Sequence, residues 1–168
     1  MEGQLMNVCV ALGLLVSELS EYPWKGKIIT FNKKPQLHKI QGSDLSSRVK
    51  FLRRMESGKN TNFQKVFKRV LEAGFYGNIS DEEMIERVFV FTDMGFDEAS
   101  RYDLKTEYRA IKREFRKYGF NMDICWKCSY FVFWNLRGSK ATLVPSKQEE
   151  VAQVSGFSKN MLTKFLEK

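Results

Sequence analysis

The chain has 168 residues, of which 43% are apolar and 14 are phenylalanine, enough for one domain with a substantial core, which excludes a disordered or fibrous chain. A formal charge of +8 favours acidic partners such as RNA, DNA or anionic lipid headgroups, because summed charge raises the local concentration of anions. Three cysteines, an odd number without signs of secretion, predict reduced thiols and a cytoplasmic or nuclear location.

Residues 6–16 are almost wholly apolar. The residues before them include Glu2 and no Lys or Arg, unlike the basic start of a signal peptide. The run is also shorter than the roughly 20 residues a bilayer span needs. It reads as a buried helix over 6–20, with Gly13 allowing close approach to a sheet, and no membrane partner is expected. Pro23 and Gly26 then break the chain. Residues 27–31 predict a short strand, and 36–40 a second one beside it across the turn at 32–35.

Ser43 or Asp44 caps a helix to about Met55, with Leu45, Val49, Leu52 and Met55 on roughly one face. After a loop at 56–60, Thr61 or Asn62 caps another helix. Its Phe63, Val66, Phe67, Val70 and Leu71 recur at helical spacing until Gly74 ends it. Residues 87–92 form a continuous apolar run, as expected of a central strand covered on both faces. Leu104, Tyr108, Ile111, Phe115 and Tyr118 fall at steps of four and three, one buried stripe on a helix closed by Gly119. Residues 130–135 predict a second buried strand, 141–144 a short edge strand and 151–154 a last strand, before a final helix over 158–167.

Helix-period and strand-period segments alternate along the chain. That pattern predicts an α/β fold with a mostly parallel sheet flanked by helices. No repeat, low-complexity tract or long linker interrupts it, so a single domain over 1–168 is expected.

Two loops, 58–62 and 92–97, fall on the side of such a sheet where ligands bind. An aspartate at a strand end suits Mg²⁺, which prefers oxygen donors; the plainer alternative is that Asp93 caps a turn and Thr61 a helix. Cys125-Trp126-Lys127-Cys128 has the spacing of a redox pair or half a zinc site. Zinc takes four ligands, whereas Cys9 lies in a core helix and His38 on a separate strand, so an ordinary connection is expected there. His38 itself is expected at a surface or edge.

Arg109, Lys112, Arg113, Arg116 and Lys117 occupy the helix face opposite the buried stripe, with Glu107 and Glu114 among them. Such a face contacts phosphates in a nucleic-acid-binding protein and is a solvated exterior otherwise. Lys50, Arg53 and Arg54 form a second basic group. A hydrolase built on Asp93 and Asp97 would need a nucleophile or activated water, a charge clamp and an acid or base held together. The sequence has no Walker-type glycine loop, no paired metal-ligand histidines and no Ser-His-Asp set around His38, so a non-enzymatic role is expected.

Several segments carry a resemblance that covers nearly the whole chain. They are Ala-Leu-Gly-Leu-Leu-Val-Ser-Glu-Leu-Ser (11–20), Pro-Trp-Lys-Gly-Lys-Ile-Ile-Thr-Phe (23–31) and Asn-Thr-Asn-Phe-Gln-Lys-Val-Phe (60–67). Arg-Val-Phe-Val-Phe-Thr-Asp-Met (87–94), Phe-Trp-Asn-Leu-Arg (133–137) and Val-Ser-Gly-Phe-Ser-Lys-Asn (154–160) join them. Together they resemble the von Willebrand factor A-like (vWA-like) C-terminal domain of an uncharacterised, mainly plant, protein family. In that family the domain follows a helical region similar to the TROVE module of the Ro RNA-binding autoantigen.

The resemblance implies a Rossmann-like, mostly parallel sheet and a metal-ion-dependent adhesion site, where a divalent ion helps to bind an acidic group of a protein partner. Thr61 matches the threonine of the second metal loop and Asp93 the aspartate of the third, with Asn60 and Asp97 as accessory donors. In the family an Asp-x-Ser-x-Ser segment ends the first, central strand, and Met1 aligns just after it. The implied domain is therefore N-terminally incomplete, lacking that strand and its serine ligands, and Mg²⁺ affinity is expected to be weak or absent. The function implied is a non-enzymatic binding module for protein partners. An RNA-binding accessory domain, or a truncated remnant without independent activity, is the alternative.

Overall fold

A computed structural model describes residues 3–30, 32, 34–55, 63–92, 104–121, 130–137, 142–144 and 151–156. Along the chain these form α1 (Gly3–Leu19), β1 (Lys27–Ile29), β2 (Leu37–Lys39), α2 (Leu45–Arg53), α3 (Phe63–Tyr76), β3 (Arg87–Thr92), α4 (Leu104–Lys117), β4 (Tyr130–Asn135), β5 (Thr142–Val144) and β6 (Val151–Ser155). The fold is α/β. It comprises two compact units, one of Met1–Cys9, Glu86–Asp103 and Cys128–Lys168 and the other of Val10–Ile85 and Leu104–Lys127.

The first unit holds a four-stranded sheet in the order β3-β4-β6-β5, in which β3, β4 and β6 are parallel and β5 adds an antiparallel edge. This is the mostly parallel sheet that the alternating periodicities predict. The apolar, β-branched and aromatic runs Arg-Val-Phe-Val-Phe-Thr and Tyr-Phe-Val-Phe-Trp-Asn supply its first two strands, since such side chains suit a pleated surface packed on both sides. Strand period sends alternate residues to opposite faces. On one face Phe89 stacks on Phe91 with ring centroids 6.2 Å apart, and Phe91 meets Trp134 of β4 at 5.9 Å. Val132, Trp134 and Val154 are fully buried. Among the described residues β3 ends the strand order, and most of its residues are half-buried, where its sequence predicts an interior strand.

The second unit holds the remainder of α1, the β1-β2 hairpin, α2, α3 and α4. The hairpin pairs antiparallel with Ile28 opposite His38, as predicted, but as a separate two-stranded sheet. Helix α3 buries Val66, Phe67, Val70 and Leu71, and α4 buries Ile111 and Phe115, which are the i, i+3, i+4 rows expected of packed helix faces. Trp24 fills the unit near the hairpin. Its indole N–H donates to the Glu83 carbonyl at 2.8 Å, and the Lys27 ammonium lies 5.5 Å from its ring centroid.

Asp44, one of the two predicted caps, starts α2. Its carboxylate accepts from the Ser47 N–H at 2.9 Å while the Ser47 hydroxyl accepts from the Asp44 N–H at 3.2 Å, a reciprocal capping box. The Ser47 backbone bond holds the Asp44 carboxyl below its ordinary range. Of the face predicted for α2, Leu52 is buried but Leu45 is 69% exposed, because it stands in the first turn beyond the packed segment.

Two expectations about glycine are corrected. Gly74 does not end α3, which runs to Tyr76. The helix closes at Asn78, the non-glycine residue at φ 49°, with Ile79 N–H bonded to Gly74 O and Asn78 N–H to Phe75 O. This is the Schellman pattern with asparagine at the left-handed position. Gly74 serves packing, since a Cβ there would lie 2.5 Å from Met84 Cε and 3.2 Å from Phe120 Cζ. A Cβ on Gly13, by contrast, would meet nothing within 4 Å among the described residues, so that residue marks no close approach to them. Helix α1 is also less enclosed than its composition predicts, for it buries Val10, Leu12 and Leu14 but leaves Leu15 and Leu19 exposed.

Gly119 closes α4 as predicted. The Phe120 N–H bonds to Phe115 O and the Gly119 N–H to Arg116 O, at 3.0 and 3.1 Å, and the Phe115 and Phe120 rings meet at 6.3 Å. The apolar contact that accompanies a Schellman ending is thus made by the two residues flanking the turn.

Candidate functional site

Each of the three parallel strands ends its apolar run on a small polar residue, Thr92 in β3, Asn135 in β4 and Ser155 in β6. The register sets Thr92 opposite Asn135 and Asn135 opposite Ser155. Register partners in a sheet point to the same face, so the hydroxyl, amide and hydroxyl form one row at the carboxyl edge, with neighbouring strands about 4.8 Å apart. Open parallel sheets bind ligands at this edge. Thr92 is buried, while Asn135 and Ser155 are half-buried.

The backbone fixes the row. The Leu136 N–H donates to Thr92 O and the Gly156 N–H to Asn135 O, each at 2.8 Å. The Asn135 side-chain oxygen accepts from the Arg137 N–H at 2.9 Å, an Asx turn that sends the chain away from the sheet. The Trp134 indole N–H donates to the Gly156 carbonyl at 2.5 Å. Gly156 has φ 86°, a left-handed backbone that a Cβ disfavours. Replacing it by alanine is expected to lower stability by about 1–2 kcal/mol, measured as the urea midpoint; an unchanged midpoint would show that the turn accepts a Cβ.

The row consists of neutral hydrogen-bonding groups, suited to holding a polar group. Thr61 and Asp93, the two implied metal ligands, lie outside the described residues, as do Asn60, Asp97 and the Cys125–Cys128 pair. Thr92, directly before Asp93, brings the described sheet to the edge of that loop. Among the described residues no group of three or more His, Cys, Asp or Glu side chains could hold a metal ion. Asn135 and Ser155 are members that loop-based reasoning misses. The signal that finds them is in the strands, for each hydrophobic run stops on a hydrogen-bonding residue.

In the helical unit Arg109, Arg113, Arg116 and Lys117 are exposed and Lys112 is half-buried on α4, so this basic face is turned outward as the helical period predicts. Lys117 pairs with Glu114 at 2.5 Å, and that bond holds the Glu114 carboxyl below its ordinary range, aided by the charges of Lys68 and Arg113. Lys50 and Arg53 on α2 and Arg54 just past it are exposed. His38 is half-buried on β2, and its Nε2 atom is enclosed without a hydrogen-bond partner. Cys9 is half-buried on α1. No described helix is long and apolar enough to cross a membrane.

Comparison with known proteins adds a family. The model of the family described as Domain of unknown function (DUF7788) matches residues 1–168. The chain is also 35% identical over 164 residues to Uncharacterized protein L728 of Acanthamoeba polyphaga mimivirus, a match covering 96% of this chain. It spans 28% of the length of that relative. No solved structure matches the chain significantly.

Proposed function

The chain belongs to the DUF7788 family, and from that premise we propose that it is a non-enzymatic, vWA-like binding module of the cytoplasm that presents the carboxyl edge of its parallel sheet to a protein partner. The observation that carries this reading is the row Thr92, Asn135 and Ser155, aligned by register at the edge where open α/β sheets take their ligands. The Asn135 amide N–H groups and the Ser155 hydroxyl, both half-buried beside the buried Thr92, match a polar stretch of another chain. Cytoplasmic placement is supported by the odd cysteine count. On this reading Thr61 and Asp93 belong to a Mg²⁺ site, and two oxygen donors alone replace too few of the ion's waters for tight binding.

The test is retention of protein partners from an extract on the immobilised chain, compared with a variant carrying Thr92→Val, Asn135→Ala and Ser155→Ala. A partner held by the first and lost from the second, with circular dichroism unchanged, is expected. Equal retention by both would overturn the edge as the contact. Calorimetric titration with MgCl₂ is expected to show no tight site, and micromolar binding would overturn the partial-site reading.

A further inference from the structure

We infer that the outer face of α3 and α4 binds single-stranded nucleic acid, its cations holding phosphates and its exposed rings stacking on bases. This inference does not rest on the strand-end reading. It uses residues of the helical unit alone, and either reading can fail while the other stands.

Two contacts define the surface. Phe75 of α3 meets Tyr118, just past α4, at 5.5 Å, and a Cβ on Gly74 of α3 would lie 3.2 Å from Cζ of Phe120 beyond α4, so the carboxyl ends of the two packed helices lie together. The helices therefore run side by side in the same direction, with cations first and aromatic rings at their carboxyl ends. Arg109, Arg113 and Arg116 are exposed at steps of four and three, which places them along one side of α4 over about 10 Å at ~1.5 Å per residue. Lys68 is exposed on the neighbouring helix. Two of the three glutamates on these helices are paired, Glu114 with Lys117 and Glu72 with Arg69 at 2.5 and 2.7 Å, and with Glu107 they are outnumbered by nine lysines and arginines. The surface consequently keeps an excess of positive charge for phosphate.

The rings decide what kind of anion fits. Tyr76 is 82% exposed and Phe75 52%, and they meet edge to face at 5.6 Å, so a ring face is open at the end of the charged stretch. In a duplex the base faces are covered by their neighbours, whereas a single strand offers them for stacking. Stacking on rings and contact with phosphate are the two components of sequence-tolerant single-strand binding. A solvated exterior explains the arginines but gives no reason for two large rings exposed to water on the adjoining helix.

Fluorescence anisotropy of the whole chain with a labelled oligonucleotide of mixed sequence tests this. RNA and DNA versions of about 12 nucleotides, within the ~4–16 covered by single-strand sites, are compared with the duplex. The single strand is expected to bind more tightly than the duplex. Its log affinity should fall with log salt at a slope near −3, from about −0.7 for each of the phosphates held by Arg109, Arg113, Arg116 and Lys68. Arg113→Glu with Arg116→Glu is expected to flatten that slope. Tyr76→Ala is expected to weaken single-strand binding about tenfold with the slope retained. Both sets alter exposed side chains, and an unchanged circular dichroism spectrum confirms folding. The inference is overturned by absence of binding at low salt, by a duplex that binds as well as the single strand, by a Tyr76→Ala variant of unchanged affinity, or by capture on phosphatidylserine vesicles without oligonucleotide binding.

Discussion

Replacing Trp134 by alanine is expected to cost about 3–5 kcal/mol, the range for deleting a large buried aromatic side chain. Trp134 is fully buried, lies in the middle strand β4 of the three parallel strands and meets Phe91 across the ladder. Its indole N–H also bonds to the Gly156 carbonyl, so truncation removes packing from the sheet and a fixed point from the turn after β6. A domain of this size is held by roughly 5–15 kcal/mol in all, and the variant therefore sits near the limit of folding. Trp134→Phe separates the two contributions. It keeps most of the ring and leaves the Gly156 carbonyl without its donor, for an expected loss of about 1–3 kcal/mol. Urea midpoints of both variants provide the measurement, and equal losses would show that the hydrogen bond, not the ring, dominates at this position.

Gly156 and Trp134 together tie the end of β6 to β4. The Asn135 carbonyl accepts from Gly156 while the Gly156 carbonyl accepts from Trp134, so consecutive residues of β4 grip the first residue after β6 from both of its polar groups. A row of side chains on three strands keeps its spacing only if the strand ends do not fray. The sequence places a residue without a Cβ where the backbone reaches φ 86°, and thereby lets β6 end level with β4.

Much of this arrangement is legible in the sequence, and the parts that are not share a cause. The bounds of β3 and β4 coincide with the predicted runs 87–92 and 130–135, because a continuous apolar run with polar ends marks a strand whether it lies inside the strand order, as β4 does, or at its end, as β3 does. The cap Asp44 and the closing Gly119 are equally local signals. Gly74 misleads because its role is set by Met84 and Phe120, which are distant in sequence, while the true stop is an asparagine accepting a left-handed backbone. Leu45 misleads because the periodicity of α2 extends beyond the part of the helix that is covered. The row Thr92, Asn135 and Ser155 is visible only once register is known, since a slip of one residue would send any of them to the other face. Individual letters mark the strand ends, and pairing turns them into a site.

Truncating Phe115 to alanine is expected to cost the helical unit about 3–5 kcal/mol, comparable to the loss at Trp134 and for a different structural reason. Phe115 is fully buried, one turn after the buried Ile111, and is the residue whose carbonyl accepts the closing bond from Phe120. Its ring meets that of Phe120, and Phe120 in turn reaches the space that Gly74 leaves open on α3. Deleting the ring therefore loosens the end of α4 and its packing against α3 in one step. At about 2–4 °C per kcal/mol for a chain of this length, the thermal midpoint followed by helical ellipticity should fall by roughly 6–20 °C. Phe75→Ala supplies the contrast, because that ring is 52% exposed and a side chain half in water returns far less on burial, leaving an expected loss below about 1.5 kcal/mol. Similar losses at Phe115 and Phe75 would sink the claim that burial, and not the shared aromatic contacts of the two helix ends, sets the stability of this unit. The same contrast bears on the nucleic-acid surface: Phe75→Ala should weaken single-strand binding in a folded chain, whereas Phe115→Ala should weaken it only in proportion to the fraction unfolded.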